Sequence, residues 1–259
     1  VTPAFFNIWT ISSALFISYP RLRPLDYHVV AYCTAMLIHI PFHWTLRTHT
    51  GRSPALFNAV FRCTNDGDRL VRRNTDLVLE GFPRSGNSFS VFAFMNAGAG
   101  DMNIAHHVHS PSQVISAARY KIPAVLLIRE PKAAAAAGIA KIATHSAGDL
   151  LRAYSIYYRT LLPLRENFVI APFDTLTSDV GRVIDAVNRR FQTAFDPIDA
   201  ARHEQLSKAF LAQEKLDALA TPPVPNHAPP AFDSPERLTG PATQLYRTYL
   251  ELAAQDGTA

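Results

Sequence analysis

The sequence predicts an α/β domain with a parallel sheet flanked by helices, preceded by an apolar helical extension. Three observations carry this reading. From residue 76 onward, short apolar runs alternate with stretches of helical periodicity, the pattern of βαβ units. A glycine-containing turn, GFPRSGNS, stands between the first such run and the first such helix. Residues 4–19 and 29–42 are of another kind: uncharged, largely apolar and joined by the turn PRLRPLDYH. The chain therefore divides into an extension, residues 1–73, and a domain over residues 74–259.

The extension comes first. Neither apolar stretch reaches the roughly 20 residues needed to cross a bilayer, and the first lacks a basic leader and a small-residue cleavage site, which argues against a signal peptide. Residues 1–73 hold eight Arg against three Asp, whereas the rest of the chain holds 17 Lys and Arg against 18 acids. The net charge of +4 is thus contributed by the extension alone. Basic residues beside apolar runs suit a surface that meets anionic lipid. A re-entrant or interfacial helix pair over residues 4–47 fits the lengths, with Arg21, Arg23, Arg47 and Arg52 at headgroup level and Trp9, Tyr27 and Trp44 as interfacial aromatics. A helical extension packed on the domain accounts for the same apolarity without a membrane.

The domain elements follow in order. Residues 76–81, 104–109, 123–130 and 167–173 read as strands, and residues 87–98, 111–120, 131–144, 148–164, 177–192, 198–219 and 239–254 as helices. The segment 221–236, TPPVPNHAPPAFDSPE, is too rich in proline for helix and reads as a loop or lid. With 48% hydrophobic and 18% charged residues in a chain of 259, a folded core is expected. Cys33 and Cys63 are too few for a disulfide framework and have no metal-ligand spacing, which favours a reducing compartment.

The turn Gly81–Ser88 carries the strongest chemical signal. Between a strand and a helix, glycines allow a tight turn whose amides converge on an anion at the positive end of the helix dipole. The spacing follows G-x-x-x-x-G-K-[ST] at Gly81, Gly86 and Ser88, but Asn87 holds the lysine position. Kinases and ATPases use that lysine on nucleotide phosphates beside Mg²⁺. Here the basic residue is Arg84, within the turn.

Pro83, Arg84, Ser85, Gly86, Asn87 and Ser88 resemble, one for one, the 5'-phosphosulfate loop of the sulfotransferases. The resemblance implies a P-loop-type domain and a donor, 3'-phosphoadenosine 5'-phosphosulfate (PAPS), used without a bound metal. It gives Arg84 the bridging oxygen and the sulfuryl group, and Ser85, Asn87, Ser88 and the loop amides the 5'-phosphate. Phe89 stands where many relatives have a base-stacking tryptophan. The strand end LLIREPK resembles the family's Arg-x-Pro segment, in which Arg129 would bind the 3'-phosphate with its planar fork. In place of a serine eight residues later stands Ala137, and Lys141, Thr144 or Ser146 could substitute for it.

Between these motifs lie His106, His107 and His109. Sulfuryl transfer to a hydroxyl needs a base, and histidine suits it. His109 resembles the family's catalytic histidine in its His-x-Pro setting, with His107 as second choice. Alternation along a strand would set His107 and His109 on one side and His106 on the other. A zinc site built from the three is the competing reading.

Asp174, with Phe173 in place of a tyrosine, falls where relatives approach the adenine, and Asn226, His227 and Arg237 could close over the donor. Tyr154, Tyr157 and Tyr158 read as helix packing. The expectation is a cytoplasmic PAPS-dependent sulfotransferase, peripheral at the membrane if the extension binds there, acting on a hydroxyl acceptor, lipid-linked, glycan or hydrophobic alcohol, with no nucleic acid. The alternatives are a P-loop kinase or nucleotide-binding enzyme, and an inactive sulfotransferase-like binding module.

Overall fold

Four strands form the sheet of the computed structural model, which describes residues 42–61, 69–98, 101–141, 145–220 and 236–259. Strands β1 (Leu77–Gly81), β2 (Ile104–His106), β3 (Ala124–Ile128) and β4 (Val169–Pro172) are all parallel, in the order β2-β1-β3-β4. Both faces are covered, so β1, β3 and β4 are buried along their whole length, as expected of parallel strands between helices. Alternate residues serve opposite cores. Val78, Leu126, Ile128 and Ile170 join one apolar cluster, and Leu77, Leu79, Val125 and Leu127 the other.

The first face carries α4 (Pro111–Tyr120), α5 (Pro131–Lys141), α6 (Ala147–Leu161) and α10 (Glu236–Asp256). The second carries α3 (Asn87–Ala97), α7 (Phe173–Ser178), α8 (Val180–Phe191) and the first part of α9 (Ala200–Ala220). Helix starts follow the sequence. Ser110 accepts from Ser112 N–H with Pro111 at the first position, Ser146 from Asp149 N–H, and Asp179 from Arg182 N–H, each satisfying a donor left over at a helix N-terminus. A 3-10 segment (Leu162–Asn167) ends the helix expected to run to 164. The single helix expected from 177 is two, α7 and α8, broken at Asp179.

Of the extension, α1 (His43–Thr50) and α2 (Pro54–Phe61) are described, and α1 lies against α6. Asp149 fastens it: the carboxylate accepts the Trp44 and Thr45 amides at 2.9 and 3.0 Å, acting as the cap that α1 does not itself supply. This corrects the expectation for two side chains. Trp44 packs on Phe82, His109 and His145. Arg47 is buried, its guanidinium over the Phe57 and Phe61 rings. Neither is at a headgroup surface. The stretches 4–19 and 29–41, the segment 221–235 with Asn226 and His227, and Thr144 lie outside the described residues. Among those described, no helix is long and apolar enough to cross a membrane.

Candidate functional site

In a parallel sheet whose connections diverge on either side of one strand, the crevice beyond the strand ends is where ligands bind. Here β1 is that strand, with β2 on one side and β3 on the other. The turn after β1, the histidines after β2 and Arg129 after β3 all leave the same edge, because Leu79 pairs with His106 and Gly81 with Leu127.

The turn after β1 is shaped by its two glycines. A Cβ on Gly81 would lie 2.5 Å from the Leu127 carbonyl oxygen, so only glycine lets the strands approach there. Gly86 has φ 96° and a Cβ there would meet Leu176 at 2.7 Å. Arg84, at φ 67°, also takes the left-handed conformation, and left-handed residues in a turn make amides converge. Pro83, Ser85 and Asn87 are buried, whereas Arg84 and Ser88 are exposed. Asn87 is only 4% exposed, and neither Oδ1 nor Nδ2 has a hydrogen-bond partner among the described residues. Ser85 Oγ is in the same condition, near the Tyr158 phenol without reaching hydrogen-bond geometry. Buried polar atoms of this kind cost about 1–3 kcal/mol each, and at a helix N-terminus an anion would satisfy the donors among them, Asn87 Nδ2 and the Ser85 hydroxyl.

Arg129 joins the two motifs. Its Nη1 donates to the Arg84 carbonyl at 2.9 Å and its guanidinium lies 4.1 Å from the centre of the Phe173 ring. Burial and the neighbouring Arg84 charge push its pKa down, against the opposite pull of Asp174 and Glu130. Two guanidinium groups at one sheet edge make a place for a polyanion. The α6 tyrosines support both motifs from behind. Tyr158 donates to Leu127 O and accepts from Phe82 N–H, and Tyr154 donates to Arg129 O. Beyond the packing role that helical spacing assigns to these rings, their hydroxyls hold the backbone of the site.

Phe89 belongs to the second apolar core: it is 7% exposed and its ring packs edge-on against His203 and Phe210. Asp174 sits in the first turn of α7. Arg237 is exposed at the start of α10. Ser146 is taken up as the cap of α6.

The histidines differ from expectation. β2 stops at His106, and His107 and His109 both take left-handed backbone, φ 58° and 53°, so strand alternation does not govern them. His109 Nδ1 donates to the Gly81 carbonyl at 2.9 Å. A carbonyl only accepts, so in the neutral ring the proton is on Nδ1 and Nε2 is the basic nitrogen. His107 Nε2 lies 3.1 Å from Ser88 Oγ, and its Nδ1 is 2.6 Å from His106 Nδ1. That pair requires one protonated and one bare nitrogen. Burial, with Arg69 nearby, pulls His106 down to about 4, and burial with positive neighbours, His109 first, pulls His107 down to about 3. Both rings are therefore neutral at ordinary pH. Among the described residues, no group of three or more His, Cys, Asp or Glu side chains is placed to hold a metal ion.

Sequence reasoning missed Glu80. It is fully buried in β1, and its carboxylate accepts Val108 N–H at 2.8 Å and Ser110 N–H at 3.2 Å. A lone acid in an apolar strand was the available signal.

No family model matches the chain, and neither a curated protein nor a solved structure matches it.

Proposed function

We propose that the chain is a sulfotransferase that moves a sulfuryl group from PAPS to an acceptor hydroxyl. The observation that supports it most is the meeting of the two sequence motifs at one point, Arg129 bonded to the Arg84 carbonyl with His109 on the Gly81 carbonyl beside them. On this reading the loop amides, Ser85, Asn87 and Ser88 bind the 5'-phosphate, and Arg129 takes the 3'-phosphate through charge-assisted bonds. The acceptor oxygen forms a bond to sulfur as the bond from sulfur to the phosphate oxygen breaks. The hydroxyl proton passes to His109 Nε2, and Arg84 offsets charge gathering on the leaving phosphate. Nothing in this scheme calls for a metal. Asn87 in the lysine position weighs against the kinase reading, whose chemistry uses that lysine. Contact with the cytoplasmic face of a membrane is assigned to residues 4–41 and the exposed Arg52, since Trp44 and Arg47 are used within the fold.

Calorimetric titration with adenosine 3',5'-bisphosphate, run beside ATP, tests the donor site. The expected result is binding of the bisphosphate in preference to ATP, weakened about a hundredfold in Arg129→Ala and in Arg84→Ala, as loss of a charge-assisted phosphate contact implies. Preference for ATP, or indifference to Arg129, would overturn the reading.

A further inference from the structure

We infer that Glu80 and Arg47 are positioning residues for His109, acting on the peptide that carries it, and that helix α1 is thereby part of the catalytic apparatus. The inference rests on reading His109 as the base. Three observations lead to it.

The first concerns the backbone. His107 and His109 adopt φ 58° and 53°, a conformation that costs a non-glycine residue about 1 kcal/mol or more and persists only where the surroundings impose it. The second is what imposes it. Glu80 Oε1 accepts the Val108 amide and Oε2 the Ser110 amide, the two peptide donors on either side of His109, and the His109 amide adds a weaker pull on the same carboxyl group. From the opposite side Arg47 donates through Nε to the Val108 carbonyl at 3.1 Å and through a second nitrogen to the same oxygen. Val108 is therefore held at its N–H by the sheet and at its C=O, the carbonyl of the peptide that leads into His109, by α1. The third is that the ring is held as well, by the Gly81 carbonyl at Nδ1 and by the Trp44 indole, 6.2 Å between ring centres.

A carboxylate deep in an apolar strand is costly, and Val78 on the same face of β1 and Phe82 just beyond the strand both belong to the apolar core. Pinning α4 would need no acid here, since Ser110 already caps that helix. What Glu80 adds is a fixed path for residues 108–110, and with it the direction of the imidazole. Arg47 does the complementary work from a helix that the domain pattern alone would not include. Its own seat is firm, with the Phe61 ring centre 4.5 Å from the guanidinium carbon.

The test uses the full chain labelled with ¹⁵N and reads the ring nitrogens of His109, the signal identified by its loss in His109→Asn. The wild-type protein is expected to give the pattern of a neutral ring protonated at Nδ1. Glu80→Met, which keeps volume and removes both acceptors, and Arg47→Met, which releases the Val108 carbonyl, should each move the signal toward a mixture of tautomers. Bisphosphate affinity should stay within about twofold of wild type, the scatter expected of uncoupled sites. If Glu80→Met does not fold, Glu80→Gln, which retains one acceptor, should show a smaller shift in the same direction. An unchanged His109 pattern in the folded variants overturns the inference. A tautomer shift in a protein that binds no bisphosphate leaves the positioning intact and removes the proposed function instead, so the two fail separately.

Discussion

The turn after β1 and the turn after β2 leave the sheet side by side, yet their polar groups are treated in opposite ways. In the first, Asn87 and Ser85 are buried with side-chain atoms that no described neighbour satisfies, and the Arg129 guanidinium is bonded to the Arg84 carbonyl beside them. In the second, donors and acceptors are matched: Val108 and Ser110 amides to Glu80, the Val108 carbonyl to Arg47, His109 to Gly81, His107 to Ser88. Stability favours the second arrangement. The contrast separates a surface waiting for a ligand from a device that holds a side chain, and it can be attacked from either side.

The largest effect belongs to the held side chain. His109→Gln removes the base while leaving the turn's backbone grip, so sulfuryl transfer should fall between about a hundredfold and ten-thousandfold, the usual range for general-base catalysis. Bisphosphate binding should be unaffected. A parallel loss of binding would mean that the two turns are not separate in function.

Next comes the waiting surface. Asn87→Leu replaces two unsatisfied buried polar atoms with an apolar group of similar size, so the unliganded protein should gain about 1 kcal/mol in denaturant unfolding. The same change should weaken bisphosphate binding by about tenfold, one lost bond to a charged group. Gain of stability with loss of affinity is the mark of a group kept for a ligand; a loss of both would show Asn87 to be structural.

How much of this is legible in the sequence depends on whether the signal is local. The β1 turn can be read because a glycine turn, its arginine and its helix are contiguous, and the parallel sheet because each strand is a short apolar run. The histidines are found but misplaced: the strand pattern extends to His109, although the chain turns left-handed at His107 under the pull of Glu80, which is 27 residues earlier. Composition makes Arg47 and Trp44 residues for a membrane surface. Their partners, Val108, Phe82 and Asp149, come from distant parts of the chain, and no periodicity announces such a meeting. The hydroxyls of Tyr154 and Tyr158 are invisible for the same reason, since helical spacing says that a tyrosine is buried and is silent on which carbonyl it will reach.

The smallest effect, and the one that sets the two elements of the histidine turn against each other, is in stability against pH. Burial holds His106 and His107 at about 4 and about 3, below the ordinary 6.5. Depressed histidines contribute stability that is complete above 6.5 and is lost as pH falls through the folded values. Glu80 runs the other way: burial lifts it from 4.5 to about 8, against the amides of Val108 and Ser110 and the Arg47 charge. Its contribution is complete below 4.5 and is lost as pH rises through about 8. Between 4.5 and 6.5 the two histidines outweigh the single carboxyl, so unfolding free energy should go on rising with pH there, peak near 6.5 and fall from there toward about 8. Because each titrating group contributes at most about 1.4 kcal/mol per pH unit, the alkaline flank should fall by about 1 kcal/mol per pH unit and the acid flank, with two histidines, by up to about twice that. Denaturant melts of the wild type and two variants check it. Glu80→Gln should flatten the alkaline flank alone, because its amide does not titrate, and His107→Asn should flatten part of the acid flank alone. If Glu80→Gln leaves the fall between pH 6.5 and 8 unchanged, the carboxylate is already ionised at neutral pH, its amide bonds and Arg47 having outweighed burial, and the turn is then held by charge as well as by hydrogen bonds.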